Sequence, residues 1–455
     1  MTVLDCQSTA TQIAAAMRSG DTTEAAYRAL IQPAIERANS CNAYARMETH
    51  NSGASGPLAG VPVSVKDNIA LADSAVTAAT PAFAELQLEE NSAISRLRAA
   101  GAGFIGKTNL HELAFGITGN NTFTGPGLNP FDTHYLAGGS SAGAAITVAT
   151  GAAAIGIGTD TGGSCRIPAA HCGVFGFRPT TGRYPSGGIV ELSSSRDTLG
   201  ILARSVADIQ LADSVMLERQ PQPGVNRISK PVIGVVAPDS FGVPVYSGVA
   251  EAFKAAIATL TDAGYRCLNV DLSAAIAADA ACGFPIVSYE THKSLSELVR
   301  SKLQMPFDEF VSTVKSPDVA ALLASQLGPE AVTDEMYETA ITKELPHLRA
   351  CFDEAFEQNA VDVLLYPTSL FPPPPVGVAD SFEYQGVELP TFVAYTATTR
   401  PDSMAGQPAI SLPCGLVEGL PVGLQLVAPR QADDALLAIA ATCEALLDPR
   451  PRPSF

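Results

Sequence analysis

Positive charge is scarce in this sequence. Of 455 residues, 28 are Lys or Arg against 46 Asp or Glu, and all charged residues together make up 16%. Neutralising phosphates takes clustered cations, so a nucleic-acid partner is not expected. The formal net charge of -18 favours a neutral or cationic small substrate over a polyanion. No C-x-x-C pair occurs among the nine cysteines, at 6, 41, 165, 172, 267, 282, 351, 414 and 443. Their odd number and wide spacing fit neither a zinc site nor a disulfide framework, which points to a reducing, cytoplasmic setting. The histidines and cysteines lack ligand spacing, so no metal is expected. Leu and Phe are missing from the most apolar long window, Ala142 to Gly158, which makes it a poor membrane span and a better buried helix followed by a strand. The opening MTVLDCQSTATQ has no basic segment leading into an apolar run, the pattern of a signal peptide.

What is present is a large core. Hydrophobic residues make up 46% of the chain, enough for packing throughout. Two helices are expected at the start, Thr9 to Arg18 and Glu24 towards Ala38, with Pro33 kinking or interrupting the second. In GVPVSVKDN, Val61, Val63 and Val65 alternate with Pro62 and Ser64, a strand that delivers Lys66 at its end. NSAISRLRAAGA reads as a helix, GFIGKTN as a strand, Ala142–Ala153 as a helix and Ala154–Gly158 as a strand. This rhythm predicts an α/β fold: a large central mixed, mostly parallel sheet covered by helices on both faces. The whole chain, 1–455, reads as one domain. It has N-terminal helices over about 1–40, a core over about 58–210, a helical excursion over about 279–354, and closing strands and a helix over about 360–455.

Two Gly/Ser segments, Gly138-Gly139-Ser140-Ser141-Ala142-Gly143 and Asp160-Thr161-Gly162-Gly163-Ser164, lie beside predicted helix starts and would present bare main-chain N–H groups. Neither fits a G-x-x-x-x-G-K-[ST] or G-x-G-x-x-G phosphate loop, and no G-x-S-x-G elbow surrounds Ser164. A serine nucleophile needs a base. His171 follows Ser164 in a helix-like run, two turns away, and reads as structural. Lysine works as a base only when neutral, and burial away from carboxylates makes it so. Lys66 has two readings: that base, or a strand-end lysine reaching water beside Asp67.

The combination of GVPVSVKDN, GGSSAG and GTDTGGSCRIPA, in that order, resembles the amidase signature family, whose serine hydrolases use a Ser–Ser–Lys triad. KTNLHELAFG, LLYPT, AGQPAISLPCG and LPVGLQL extend the resemblance over most of the chain. The resemblance implies that Ser164 is the acylated nucleophile and Ser140 a bridging serine after a cis Gly139–Ser140 peptide. It implies that Lys66 is the neutral general base, and that the main-chain N–H groups of Thr161, Gly162, Gly163 and Ser164 form an oxyanion hole. Asp160 and Arg166 would fix the loop's shape. No cofactor is implied. Two positions depart from the family: Ala142 replaces a common glycine, and Cys165 a usual β-branched residue.

A typical glutamine after the signature arginine marks the amidotransferase branch; here the residue is Ile167. TAATPAF, KTNLHELAFGITGNN and GRYPSGGI are similar instead to the mandelamide and indoleacetamide hydrolase branch. This implies hydrolysis of a small neutral aryl- or alkyl-acetamide to acid and ammonia through a seryl acyl-enzyme. Candidate pocket walls are Phe115, Ile117, Ile167 and Ile189, each of which also reads as ordinary core. The alternatives are a glutamine-hydrolysing subunit of an amidotransferase and a non-catalytic binding protein on the same fold, the latter opposed by an intact Lys66, Ser140 and Ser164. The partner expected is the small amide alone, without nucleic acid or membrane; a homodimer is left open.

Overall fold

The computed structural model describes residues 4–50, 55–219, 230–447 and 451–453. Its strands are β1 (Tyr44–His50), β2 (Pro62–Lys66), β3 (Gly103–Thr108), β4 (Ile155–Asp160), β5 (Phe175–Arg178), β6 (Thr198–Ala203), β7 (Val232–Val235), β8 (Arg266–Asn269), β9 (Val363–Pro367), β10 (Ser381–Tyr384), β11 (Val387–Pro390), β12 (Ala409–Val417) and β13 (Leu420–Val427). Eleven of them form one sheet, ordered β1-β3-β2-β4-β6-β5-β12-β13-β9-β7-β8; β10 and β11 form a separate hairpin.

The sheet is mixed, as expected, but not mostly parallel. Parallel pairing is confined to β3–β2–β4 and β9–β7–β8. The strands between them pair antiparallel, as does edge strand β1. The reason is local. A two-residue turn, Glu418-Gly419, with both residues at positive φ, joins β12 directly to β13. Such a turn demands antiparallel neighbours, whereas helical crossovers give parallel ones.

The strand that carries Lys66 is buried along its whole length, because β3 and β4 flank it and apolar clusters cover it. Valines at 61, 63 and 65 are fully buried, and on the other face Ser64 bonds Thr147. Thr147 lies on the helix Ala142–Thr150, every residue of which is buried. Its Ala/Gly composition lets it press against the chain around it: a Cβ at Gly143 would collide with the Ala43 carbonyl. Pro33 does not interrupt its helix, which runs Glu24–Ser40. Tyr27, Ile31, Ala34 and Ala38 are buried along it at helical spacing, and that packing outweighs one missing N–H. The helical excursion starts with Ser273–Leu303 and ends with Leu345–Asn359. Among the described residues no helix is long and apolar enough to cross a membrane.

Candidate active site

Parallel strands β2 and β4 end side by side, Val65 in register with Ile157. Side chains at their carboxyl ends therefore meet in the crevice where ligands of α/β proteins commonly sit. Lys66 is the last residue of β2 and has no solvent exposure. Its Nζ lies 2.8 Å from Ser140 Oγ, 2.7 Å from Thr159 Oγ1 and 3.5 Å from the Thr159 carbonyl. Asn68 Nδ2 donates to the same Thr159 hydroxyl at 3.2 Å. No carboxylate pairs with Lys66 among the described residues. Asp67, the partner that a strand-end lysine would use, points elsewhere, to buried Lys107 at 3.0 Å and to Thr77. Burial therefore pushes the Lys66 ammonium down, to about 8, despite the nearby acids that work against it.

The two Gly/Ser segments meet. The Gly139–Ser140 peptide is cis, Gly139 N–H donates to the Ile117 carbonyl at 2.7 Å, and Ser141 N–H donates to the Ser164 carbonyl at 3.1 Å. Ser140 is fully buried, whereas Ser164 keeps 5% exposure. The Ser164 hydroxyl takes no hydrogen bond among the described residues, so it is free to turn toward either Ser140 or a ligand.

The loop between β4 and the helix Arg166–Cys172 is pinned by its carbonyls. Arg178 holds the carbonyl of Asp160, Arg196 Nε that of Thr161 at 3.1 Å, Thr399 Oγ1 that of Gly162 at 2.7 Å, and Ile167 N–H that of Gly163 at 2.8 Å. In a trans peptide the C=O and the following N–H point opposite ways. Pinning the carbonyls thus aims the N–H groups of Thr161, Gly162 and Ser164 away from the protein's acceptors, and none of the three has an acceptor among the described residues. Gly163 is the exception, and it corrects the expectation of four donors. Its N–H donates to Asp160 Oδ1 at 2.8 Å, leaving three. Gly163 is needed for space instead: at φ +120° its Cβ would run into the Thr399 hydroxyl and Ile167.

Asp160 is the hub of a buried ionic network. Its carboxylate also accepts from Cys165 N–H at 3.1 Å and from Arg166 Nε and Nη2, both at 3.1 Å. Burial alone would raise its pKa, but Arg166 and Arg178 outweigh this and hold it well below the usual carboxylate range. Arg166 continues to Asp402 at 2.5 Å, Gln425 at 2.8 Å and Ser403 at 2.6 Å. Removing one partner of such a network leaves buried charge uncompensated. Arg166→Met should therefore cost about 3–5 kcal/mol in a denaturant melt; a loss within experimental error would show that the network does not hold the loop.

Cys165 is fully buried, and burial together with the Asp160 charge pushes its thiol up to about 12. Its sulfur fills the space that glycines leave: a Cβ on Gly158 or Gly200 would lie 2.8 or 2.5 Å from it. Ala142 is accommodated in the same way, its methyl set against Gly119 and Gly127. His171 is buried, lies under Gly138, and stands edge-on to Tyr395 at 5.8 Å; burial pushes its ring down to about 4.

Of the candidate walls, Ile167 sets its side chain beside Gly163, Ile117 meets Gly139 through its main chain, and Ile189 bridges to Ile69, three residues past Lys66. Phe115 packs partly buried against two smaller apolar clusters. Thr159, Arg178, Arg196 and Thr399 were not singled out by sequence reading. An arginine ending the apolar run FGFR was the one visible signal, since a cation there is buried and must be paired. Among the described residues no group of three or more His, Cys, Asp or Glu converges as a metal-ligand set.

Comparison with known proteins agrees with this architecture. Residues 7–437 match the family model described as Amidase. The chain is 35% identical over 410 residues to indoleacetamide hydrolase of Allorhizobium ampelinum, covering 88% of this chain and 87% of that one. It is 36% identical over 423 residues to mandelamide hydrolase of Pseudomonas putida, covering 88% and 80%. A solved amidase structure superposes with a TM-score of 0.84 at 32% identity, over 97% of this chain and 100% of that one. On this match across nearly its full length, the chain belongs to the amidase family and is an amide-hydrolysing enzyme.

Proposed function

We propose that the protein hydrolyses a small neutral aryl-substituted acetamide to the carboxylic acid and ammonia through an acyl-enzyme on Ser164. The observation that carries this reading is the buried, unpaired Lys66 amine at 2.8 Å from Ser140 Oγ. A neutral amine has two N–H bonds and one lone pair. Its N–H groups satisfy the Thr159 hydroxyl and carbonyl, and its lone pair accepts the Ser140 proton. Ser140 in turn takes the proton of Ser164. This second step requires the Ser164 hydroxyl to close on Ser140 when substrate binds, and catalytic hydrogen bonds often tighten only then.

Ser164 Oγ attacks the amide carbon, and the C=O electron pair moves onto oxygen. The N–H groups of Thr161, Gly162 and Ser164 stabilise that charge, each donor being worth about 3 kcal/mol. The C–N bond then breaks as the relay returns a proton to the leaving nitrogen, releasing ammonia. Water, activated by the same relay, hydrolyses the ester. Ile167, whose side chain lies beside Gly163, supplies an apolar surface for the acyl group.

The aryl preference rests on the similarity to enzymes named for indoleacetamide and mandelamide. The experiment that tests it is ammonia release by the purified protein alone from aliphatic, aryl-acetic and amino-acid amides. Phenylacetamide and indoleacetamide are expected to exceed acetamide and glutamine in kcat/KM by at least about tenfold, the usual return from filling an apolar pocket. Preference for glutamine would favour the amidotransferase reading.

A further inference from the structure

Thr161 is held at two points, and both lead to one turn. Its carbonyl accepts from Arg196, and its hydroxyl donates to Asp197 Oδ1 at 2.6 Å. Asp197 Oδ2 accepts from the N–H groups of Leu192 at 2.7 Å and Ser193 at 3.1 Å, so residues 192–197 form a closed turn around this carboxylate. Nothing in the 158–173 motif encodes this turn's position.

What fixes the turn is the helical excursion. Glu290, buried midway along the helix Ser273–Leu303, accepts through Oε2 from Ser193 Oγ at 2.5 Å, Ser195 N–H at 3.1 Å and Ser195 Oγ at 2.9 Å. Its other oxygen accepts from Tyr337 OH at 2.9 Å. Among the described residues no cation bonds this carboxylate, whose partners there are hydroxyl and amide donors. Thr291, the next residue, donates to the Leu192 carbonyl at 2.8 Å, and Arg196 Nη1 reaches the Gly283 carbonyl of the same helix at 3.3 Å.

We propose that Glu290 is a positioning residue for amide hydrolysis. By locking the 192–197 turn it fixes Arg196 and Asp197, and through them the direction of the Thr161 carbonyl and hence of the Gly162 N–H. The inference rests on reading the 161–164 N–H groups as oxyanion donors. It predicts an effect on the tetrahedral state rather than on ground-state binding.

The test compares wild type, Glu290→Ala and Glu290→Gln on the best amide of the panel, and measures inhibition by phenylmethylboronic acid, whose serine adduct is tetrahedral. For Glu290→Ala, kcat is expected to fall by at least about tenfold with KM within about threefold, and the boronate Ki to rise in step, as for a misaimed oxyanion donor. Glu290→Gln, which keeps an acceptor in place, should recover most of both. If Glu290→Ala does not fold, S193A/S195A removes the two hydroxyl donors from the other side and should show the same split. Unchanged kcat and Ki in Glu290→Ala or in S193A/S195A, or a fall in kcat with the boronate Ki unmoved, overturns the proposal. A wild-type enzyme that turns over amide but ignores the boronate removes the donor reading itself, and this inference with it.

Discussion

Ser164→Ala is expected to lose about 10⁴-fold or more in kcat, because no other group can take over the covalent step. The fold should be untouched. The Ser164 hydroxyl takes no hydrogen bond among the described residues, and the loop is held by its carbonyls rather than by this side chain. A melt matching wild type together with absent ammonia release is the expected pair of results. The rival nucleophile one position on, Cys165, cannot rescue the variant. Its thiol is pushed up to about 12, and its sulfur is packed against Gly158 and Gly200. Turnover in Ser164→Ala that vanishes in Ser164→Ala/Cys165→Ala would move the chemistry to the thiol.

Lys66→Met should be nearly inactive and, at neutral pH, more stable than wild type. The two effects have one cause. Burial holds the Lys66 pKa at about 8, below its ordinary 10.5. Between those values the unfolded chain binds a proton that the native state does not, so the native state gains stability as pH rises through this window. Below about 8 both states are protonated and the native state carries the full penalty of a buried ammonium, about 3 kcal/mol. Methionine carries none. The stability advantage of Lys66→Met should therefore be largest at pH 7 and close as pH approaches 10.5, as read by denaturant melts at several pH values. Wild-type activity should follow the neutral amine, rising by about tenfold per pH unit up to about pH 8 and levelling above it. A profile that stays flat down to pH 6 would mean that Lys66 is not the base, and a stability difference between variant and wild type that does not change between pH 7 and 10.5 would mean that burial does not hold the amine down.

The residues nearest the proposed proton relay were legible in sequence because each announces itself locally. Val61, Val63 and Val65 alternate and place Lys66 at a strand end, and the two Gly/Ser segments mark loops with bare N–H groups before helices. What encloses those residues was not legible. Arg178, Arg196 and Thr399 reach the loop, and Asp402 reaches Arg166, from β5, the 192–197 turn and the segment before β12; apart from the arginine that ends FGFR, no local pattern signals them. The same limit explains Gly163. Sequence spacing shows a main-chain N–H in the right place, but only the Asp160 carboxylate, folded back beneath the loop, shows that this donor is taken. Strand direction failed for a different reason. Alternating strands and helices imply parallel pairing only where a crossover joins neighbours. The Glu418-Gly419 turn, a hairpin signal in plain view, showed that the centre of the sheet is built otherwise.

The most direct measurement is peptide-mapping mass spectrometry of enzyme quenched in acid during turnover of phenylacetamide. A phenylacetyl ester on Ser164 is the predicted result. The acyl group on Cys165, or on any other side chain, would contradict it.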